Sequence, residues 1–550
     1  MKSITIIFFA LAGAAAAEPI ITSWHTADSG RYARIWATQE QEITERGGGG
    51  ESSLTTWDYT DYDGVTVGDQ TEPVYAGVQG ISYSNSYVYI KSTGLATNTM
   101  GPWFLNAART TAFPSFPGNA AILYRFPRST NYPQSYAPAS RTETNIGTCG
   151  LFVDGVPLFN TSDTFSYDTS AGGDQEPTNS NVGDGYWNRD AFVNEGVSFD
   201  AGNAHQAMEA FHYHASPTAL RSRLGDSVDY DSTVVYQGIG QASPYTENFN
   251  GKHSPIIAWV NDGLPMYGPY GYSDPLDPNS AVRRMISGYQ KRDGSNGSTD
   301  LSSTGRHSLP QWTVTQGQRS STALSSSQYG PNVSSSFILG HYMEDYAFKG
   351  DLVSDSSGAT FESYTDPSNQ GNFDATRHYD LNAYNVRWCV TPEFPNGTWA
   401  YFTSVEEDGT PAYPYNLAYQ YFGDATLAAG IASSEVETSG VTVEFDGAAN
   451  TSPSNAATQV DNGNVTITWK GVEGGVYRVE TSDDLSSFDQ TAASFTATSN
   501  YIEATDALTT QRFYRLYQIG LSTYDDTEFS SAAAAGGGDP GGPGGPPLGP

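Results

Sequence analysis

The chain is short of cationic side chains: 26 Lys and Arg stand against 60 Asp and Glu, a formal net charge of −34 over 550 residues. That excludes nucleic acid and anionic lipid as partners, because affinity for either rests on neutralising phosphates with Lys and Arg. Uninterrupted apolar runs of the ~20 residues needed to span a bilayer are absent, which excludes a membrane-spanning helix. No phosphate-binding Gly loop, His-Glu-x-x-His or Cys-x-x-Cys occurs, and only eight histidines are present; the common nucleotide, zinc-protease and dithiol chemistries therefore have no sequence support. What the chain does have is 37% hydrophobic and 13% aromatic residues, including 36 Tyr, together with 58 Gly. This is enough apolar and ring surface for a large core, and it favours strands and turns over helices.

The N-terminus, MKSITIIFFALAGAAAAEP, places one basic residue, Lys2, before an apolar run from Ile4 to Leu11 and small residues at Ala15 and Ala17. This pattern predicts a signal peptide over residues 1–17 and an exported protein, extracellular or periplasmic. In an oxidising compartment the only two cysteines, Cys149 and Cys389, are candidate disulfide partners; the alternative is two buried thiols in strands.

From about 18 to 425, short aromatic and β-branched runs bounded by Gly, Pro, Asn and Asp recur: Ser86–Ile90, Leu123–Phe126, Ile256–Val260 and Thr398–Phe402. They predict a mainly β, loop-rich large domain. One helix is expected over Pro217–Leu224, with Ser216 as N-cap and Pro217 at the first position. Long polar loops are expected at 44–70, 160–185 and 291–335, where binding sites usually sit. From 440 to 520 the pattern becomes alternating strands (Val441–Phe445, Val465–Trp469, Val476–Glu480, Phe513–Tyr517), which suggests a β-sandwich resembling fibronectin-type or immunoglobulin-like modules. Residues 521–550, ending AAAAGGGDPGGPGGPPLGP, have almost nothing to bury and are expected to be disordered.

Three of the eight histidines fall within ten residues, in NAHQAMEAFHYHASP: His205, His212 and His214. On a strand, the two-residue period projects both imidazoles of Phe211-His212-Tyr213-His214 from one face and Phe211 and Tyr213 from the other. With His205 returned from upstream, three neutral nitrogens could converge on one Cu or Zn ion and leave coordination positions open. The competing reading is half-buried strand histidines hydrogen-bonded to backbone.

These residues also carry a family resemblance. Phe211–His214, followed by KHSPI (252–256) and VNDGLPMYG (260–268), resembles the YHYH family of secreted proteins, as do VDGVPLFN (153–160), WNRDAFVNEGVSFD (187–200), LGHYMEDY (339–346) and TPEFPNGTWAYF (391–402). The resemblance runs from about 20 to 425 and departs from the motif at its first position, where Phe211 stands for Tyr. It implies no established reaction. Its blocks add polar groups that could complete a site: His253, Asp262, His341, Glu344 and Asp345. For Asp262 a turn role with Gly263 is favoured.

Other patterns carry less. Gly225-Asp226-Ser227 follows the expected helix rather than a strand and lacks a paired Asp-x-x-His. The sets Asp226, Asp229, Asp231 and Asp274, Asp277, Asn279 lack the Gly and terminal Glu of an EF-hand loop. Two function classes follow: a secreted metal-binding protein, extending to a metalloenzyme of unknown reaction, or a non-catalytic extracellular module for a glycan, small molecule or cell surface with structural histidines. Finally, Thr398–Phe402 echoes Ala210–His214 in aromatic spacing, with Ala400 and Phe402 where the histidines stand. Either the domain contains two related β units or the spacing is that of any aromatic-rich strand.

Overall fold

A computed structural model describes residues 18–46, 50–58, 70–71, 73–129, 141–144, 147–175, 183–352, 362–363, 378–446, 457–461, 463–470, 475–482, 490–496, 501–507 and 513–521. The expected signal peptide, residues 1–17, and the expected disordered tail after Leu521 lie outside the described residues. The described chain is mainly β, and its longest helix, Gln39–Arg46, has eight residues.

At the centre is an eight-stranded sheet built from β1 (Gly150–Phe152), β2 (Pro157–Leu158), β3 (Ala204–Ala207), β4 (Ala210–Tyr213), β5 (Ile256–Val260), β6 (Pro265–Tyr267), β7 (Val386–Cys389) and β8 (Thr398–Phe402). Its spatial order is β7-β8-β6-β5-β1-β2-β4-β3. The interior strands are short and nearly continuously apolar: all five residues of β5, IIAWV, are buried, as are all three of β1. Strands covered on both faces read this way rather than alternating. The edge hairpin β3–β4 differs, because it carries imidazoles on one face and core rings on the other.

The pairing pattern of this sheet reads the same from both edges. An antiparallel hairpin, β3–β4 or β7–β8, joins in parallel to β2 or β6, which turns back antiparallel onto β1 or β5, and β1 and β5 meet antiparallel at the centre. The registers agree: Tyr213 pairs with Leu158 and Tyr401 with Met266. So do the turns. Asp154-Gly155-Val156-Pro157 and Asp262-Gly263-Leu264-Pro265 occupy the same places. Phe152 N–H donates to Val156 O and Gly155 N–H to Phe152 O (2.9 and 2.8 Å), and Val260 N–H donates to Leu264 O and Gly263 N–H to Val260 O (3.1 and 2.8 Å). Each Asp accepts from the amide two residues on, at 3.2 Å in both halves, and each Gly has a positive φ, +84° and +78°, which favours glycine there. Of the two readings of the Thr398–Phe402 echo, the topology favours two related β units.

A five-stranded antiparallel sheet packs on the same core; its order is Ala429–Gly430, Ile122–Pro127, Tyr87–Ser92, Val78–Tyr83, Thr442–Asp446. Its last member is the first strand expected in the C-terminal module. Phe445 instead pairs with Ile81 and Thr442 with Tyr83, with Phe445 buried in the main core. The remaining C-terminal strands form two three-stranded antiparallel sheets, Ala457–Asp461/Asn464–Lys470/Tyr501–Ala507 and Gln490–Thr496/Gly475–Ser482/Phe513–Leu521. They share a core of Val465, Ile467, Trp469, Tyr477, Val479, Ala504, Tyr514 and Leu516, in which Tyr75 of the large domain also packs.

Cys149 and Cys389 are both buried and not joined in a disulfide, so the structure takes the two-thiol alternative. The expected helix is Thr218–Arg223, but Ser216 does not cap it. Its hydroxyl accepts from Arg221 Nη1 at 3.1 Å, a buried guanidinium that also binds Asp226 and Glu247; satisfying that buried cation takes precedence over capping one first-turn amide.

Candidate metal centre

The three histidines meet because the hairpin β3–β4 puts His205 directly across from His212. The turn that joins the strands, Met208-Glu209, is two residues long, and Met208 takes a φ of +54°. Strand alternation buries Phe211 and Tyr213 in the main core and sends His212 to the opposite face, with His214 just past the strand end. The result is a group in which one ring nitrogen from each histidine lies within 4.8 Å of the others. All three are buried, 2 to 5% exposed.

The hydrogen bonds fix which nitrogen points inward. His212 Nδ1 sits 2.9 Å from Ala210 O, and His214 Nδ1 2.7 Å from Asn160 O. Carbonyl oxygens only accept, so both Nδ1 atoms carry the proton and both Nε2 atoms present lone pairs. For His205 the partner is Ser198 Oγ, 2.8 Å from Nδ1. The single Ser198 hydroxyl proton is donated to Glu195 O at 2.6 Å, so Ser198 Oγ accepts from His205 Nδ1 and leaves that Nε2 a lone pair as well. His212 Nε2 and His214 Nε2 are 3.0 Å apart. Between neutral rings of this tautomer that contact places two acceptors face to face.

A fourth group faces the same space. Glu195, last residue of α1 (Ala191–Glu195), places Oε2 3.3 Å from His214 Nε2 and 3.6 Å from His205 Nε2. The helix is held by Asp190, whose side chain accepts from Val193 N–H, and by His341 O, which accepts from Asp190 N–H and Asn194 Nδ2. An apolar collar surrounds the cluster: Phe159 stacks on His212 with ring centroids 3.9 Å apart, Phe199 lies 4.8 Å from His205, and Phe113 5.8 Å from it. Burial in this collar holds His214 down at about 4. It also holds His205 and His212 well below the usual imidazole value, with the neighbouring imidazoles adding to the effect. Burial pushes Glu195 well above the usual carboxylate range, and Asp163 adds to this. Without a metal the pocket thus favours neutral groups.

The other residues singled out in the sequence find partners elsewhere. His253 donates Nδ1–H to Ser254 O at 2.7 Å and packs between Tyr267 and Tyr272. Asp262 holds the β5–β6 turn and accepts from Tyr401 OH and Gly423 N–H, the turn role favoured for it. His341 directs Nε2 to Asp174, Glu344 accepts twice from Asn188, and Asp345 takes a bidentate ion pair from Arg306 at 2.7 Å. None of these contacts involves the three histidines. The aspartates of the calcium-like sets also serve local structure: Asp231 caps Thr233 and Asp277 caps Asn279. Glu195, Ser198 and Asn160 were not singled out. Glu195 and Ser198 lie within the block 187–200, but nothing local in NEGVS shows that a five-residue helix returns the carboxylate to the hairpin.

A family model described as YHYH protein matches residues 124–415, which contain the histidine hairpin, α1 and both halves of the central sheet. No curated protein and no solved structure matches the chain.

Proposed function

We propose that this chain, which belongs to the YHYH protein family, is an exported metal-binding protein in which Nε2 of His205, His212 and His214 hold a Cu or Zn ion. The supporting observation is the convergence of three lone pairs in a buried pocket, each fixed by a hydrogen bond from Nδ1 on the far side of its ring. Metal-binding histidines are oriented in this way by their outer partners. A buried acceptor without a donor costs about 1–3 kcal/mol. One proton can bridge only two of the facing atoms, whereas one divalent ion satisfies all of them. Neutral imidazoles suit Zn²⁺ and Cu²⁺.

The metal would polarise a bound water or carbonyl if a coordination position stays open, the basis of a metalloenzyme role. A closed sphere makes the site structural. The C-terminal pair of sheets is read as an appended module of the fibronectin or immunoglobulin type. The glycan-binding alternative draws less support: a cavity of about 280 Å³ is lined by Trp36, Arg46, Tyr230 and Tyr245, but Arg46 already covers a face of the Trp36 ring at 4.2 Å.

Calorimetric titration of tag-free, metal-stripped protein tests the assignment. About one equivalent of Zn²⁺ or Cu²⁺ should bind per chain, and His212→Ala should abolish binding. Unchanged uptake by a folded His212→Ala variant would place the metal elsewhere.

A further inference from the structure

We infer that Glu195 Oε2 is the fourth metal ligand, closing a three-histidine, one-carboxylate site at the mouth of the pocket. This rests on the reading of the three histidines as metal ligands. Around a tetrahedral ion with bonds of about 2.0–2.1 Å, neighbouring ligand atoms stand about 3.3 Å apart. The contacts His212 Nε2 to His214 Nε2, Glu195 Oε2 to His214 Nε2 and Glu195 Oε2 to His205 Nε2 are 3.0, 3.3 and 3.6 Å. These three contacts bracket that edge length, and the widest separation among the histidine ligand atoms, 4.8 Å, closes as the rings draw in around the ion.

The same carboxylate oxygen is buried and has no hydrogen-bond partner. The two imidazole nitrogens beside it are Nε2 atoms whose protons reside on Nδ1, so Oε2 faces lone pairs. Charge points the same way. Three neutral imidazoles leave a divalent ion with its full +2 in an apolar collar of Phe113, Phe159 and Phe199, and one carboxylate halves it. Glu195 is also the most solvent-accessible member of the group, its side chain 24% exposed against 4 and 6% for His214 and His205. It therefore sits where an ion would enter. Its backbone carbonyl takes part as well, because Ser198, which orients His205, donates to Glu195 O. One short helix end thus supplies a ligand and anchors the group that orients another.

Co²⁺ binding to metal-stripped full-length protein, read by visible absorption, tests this with Glu195→Gln and Glu195→Ala. In the wild-type chain Co²⁺ should give the intense bands of four-coordinate cobalt. Glu195→Ala should bind at least about 10-fold more weakly and show the weak bands of a water-filled, higher-coordinate ion, with Glu195→Gln between the two. The metal-free Glu195→Gln variant, which keeps the side-chain volume, should unfold at a midpoint no lower than wild type, since no hydrogen bond to Oε2 is lost. Wild-type affinity and wild-type bands in Glu195→Ala would overturn the assignment while leaving the histidine site standing. No cobalt binding by the wild-type chain would instead overturn the histidine reading itself. If Glu195→Ala does not fold, the isosteric Gln variant decides by the same two readouts.

Discussion

At the residue scale, the site is a set of protonation states as much as a set of positions. Every Nδ1 is committed to an outer acceptor, so every Nε2 is free for an electrophile, and burial keeps the rings neutral. This has a pH consequence. The folded-state value of His214, about 4, lies below the unfolded imidazole value of about 6.5, so between those values the unfolded chain binds more protons. The contribution of His214 to stability is then complete above about pH 6.5 and is lost as the pH falls toward 4. Asp190 and Asp200, held up near 8 and 7 by burial, act in the opposite direction, so the histidine term is read by difference. In chemical denaturation of metal-free protein, lowering the pH from 7 to 5 should destabilise wild type more than His214→Gln, by something on the order of 1–2 kcal/mol. Equal losses in both would show that His214 is not held neutral. The alternation of Phe211-His212-Tyr213-His214 made the inward pair readable in the sequence, since a period of two needs only a strand. Glu195 was not readable, because its arrival depends on a helix anchored by Asp190 and by the carbonyl of His341, some 150 positions away.

At the element scale, the histidine hairpin is one of two equivalent hairpins at opposite edges of one sheet. In the second, Ala400 and Phe402 stand at the positions of His212 and His214, and Arg387 pairs with Ala400 as His205 does with His212. The aromatic echo in Thr398–Phe402 left this undecided, because aromatic-rich strands share such spacing. The paired Asp-Gly-x-Pro turns, with matching hydrogen bonds, supply the second half of the correspondence. The halves differ in one testable contact. Tyr401 OH donates to Asp262 Oδ2 at 2.7 Å and accepts from Phe422 N–H at 2.8 Å, whereas Tyr213 OH and Asp154 Oδ2 have no partner. Tyr401→Phe should therefore destabilise by about 1–3 kcal/mol in urea unfolding, and Tyr213→Phe by less than about 0.5 kcal/mol. Equal effects would mean that the two tyrosines do the same work.

At the scale of the whole molecule, the large domain holds everything the site uses. Strand existence was well marked by the aromatic and β-branched runs: Ile256–Val260 and Thr398–Phe402 are strands with those bounds. Sheet membership was not, since Val441–Phe445 reads like its C-terminal neighbours but pairs with Val78–Tyr83; register across hundreds of residues leaves no local mark. A truncation that respects the observed pairing must fall between residues 446 and 457. Removing the C-terminal sheets there should uncover Tyr75 and leave the histidine hairpin, α1 and the central sheet intact. Metal content by mass spectrometry, in tag-free full-length protein and in that truncation after incubation with Zn²⁺ or Cu²⁺ and desalting, tests the account most directly. The expected result is about one ion per chain in both forms. A folded full-length chain that retains less than about a tenth of an equivalent of either metal would contradict a three-histidine metal centre.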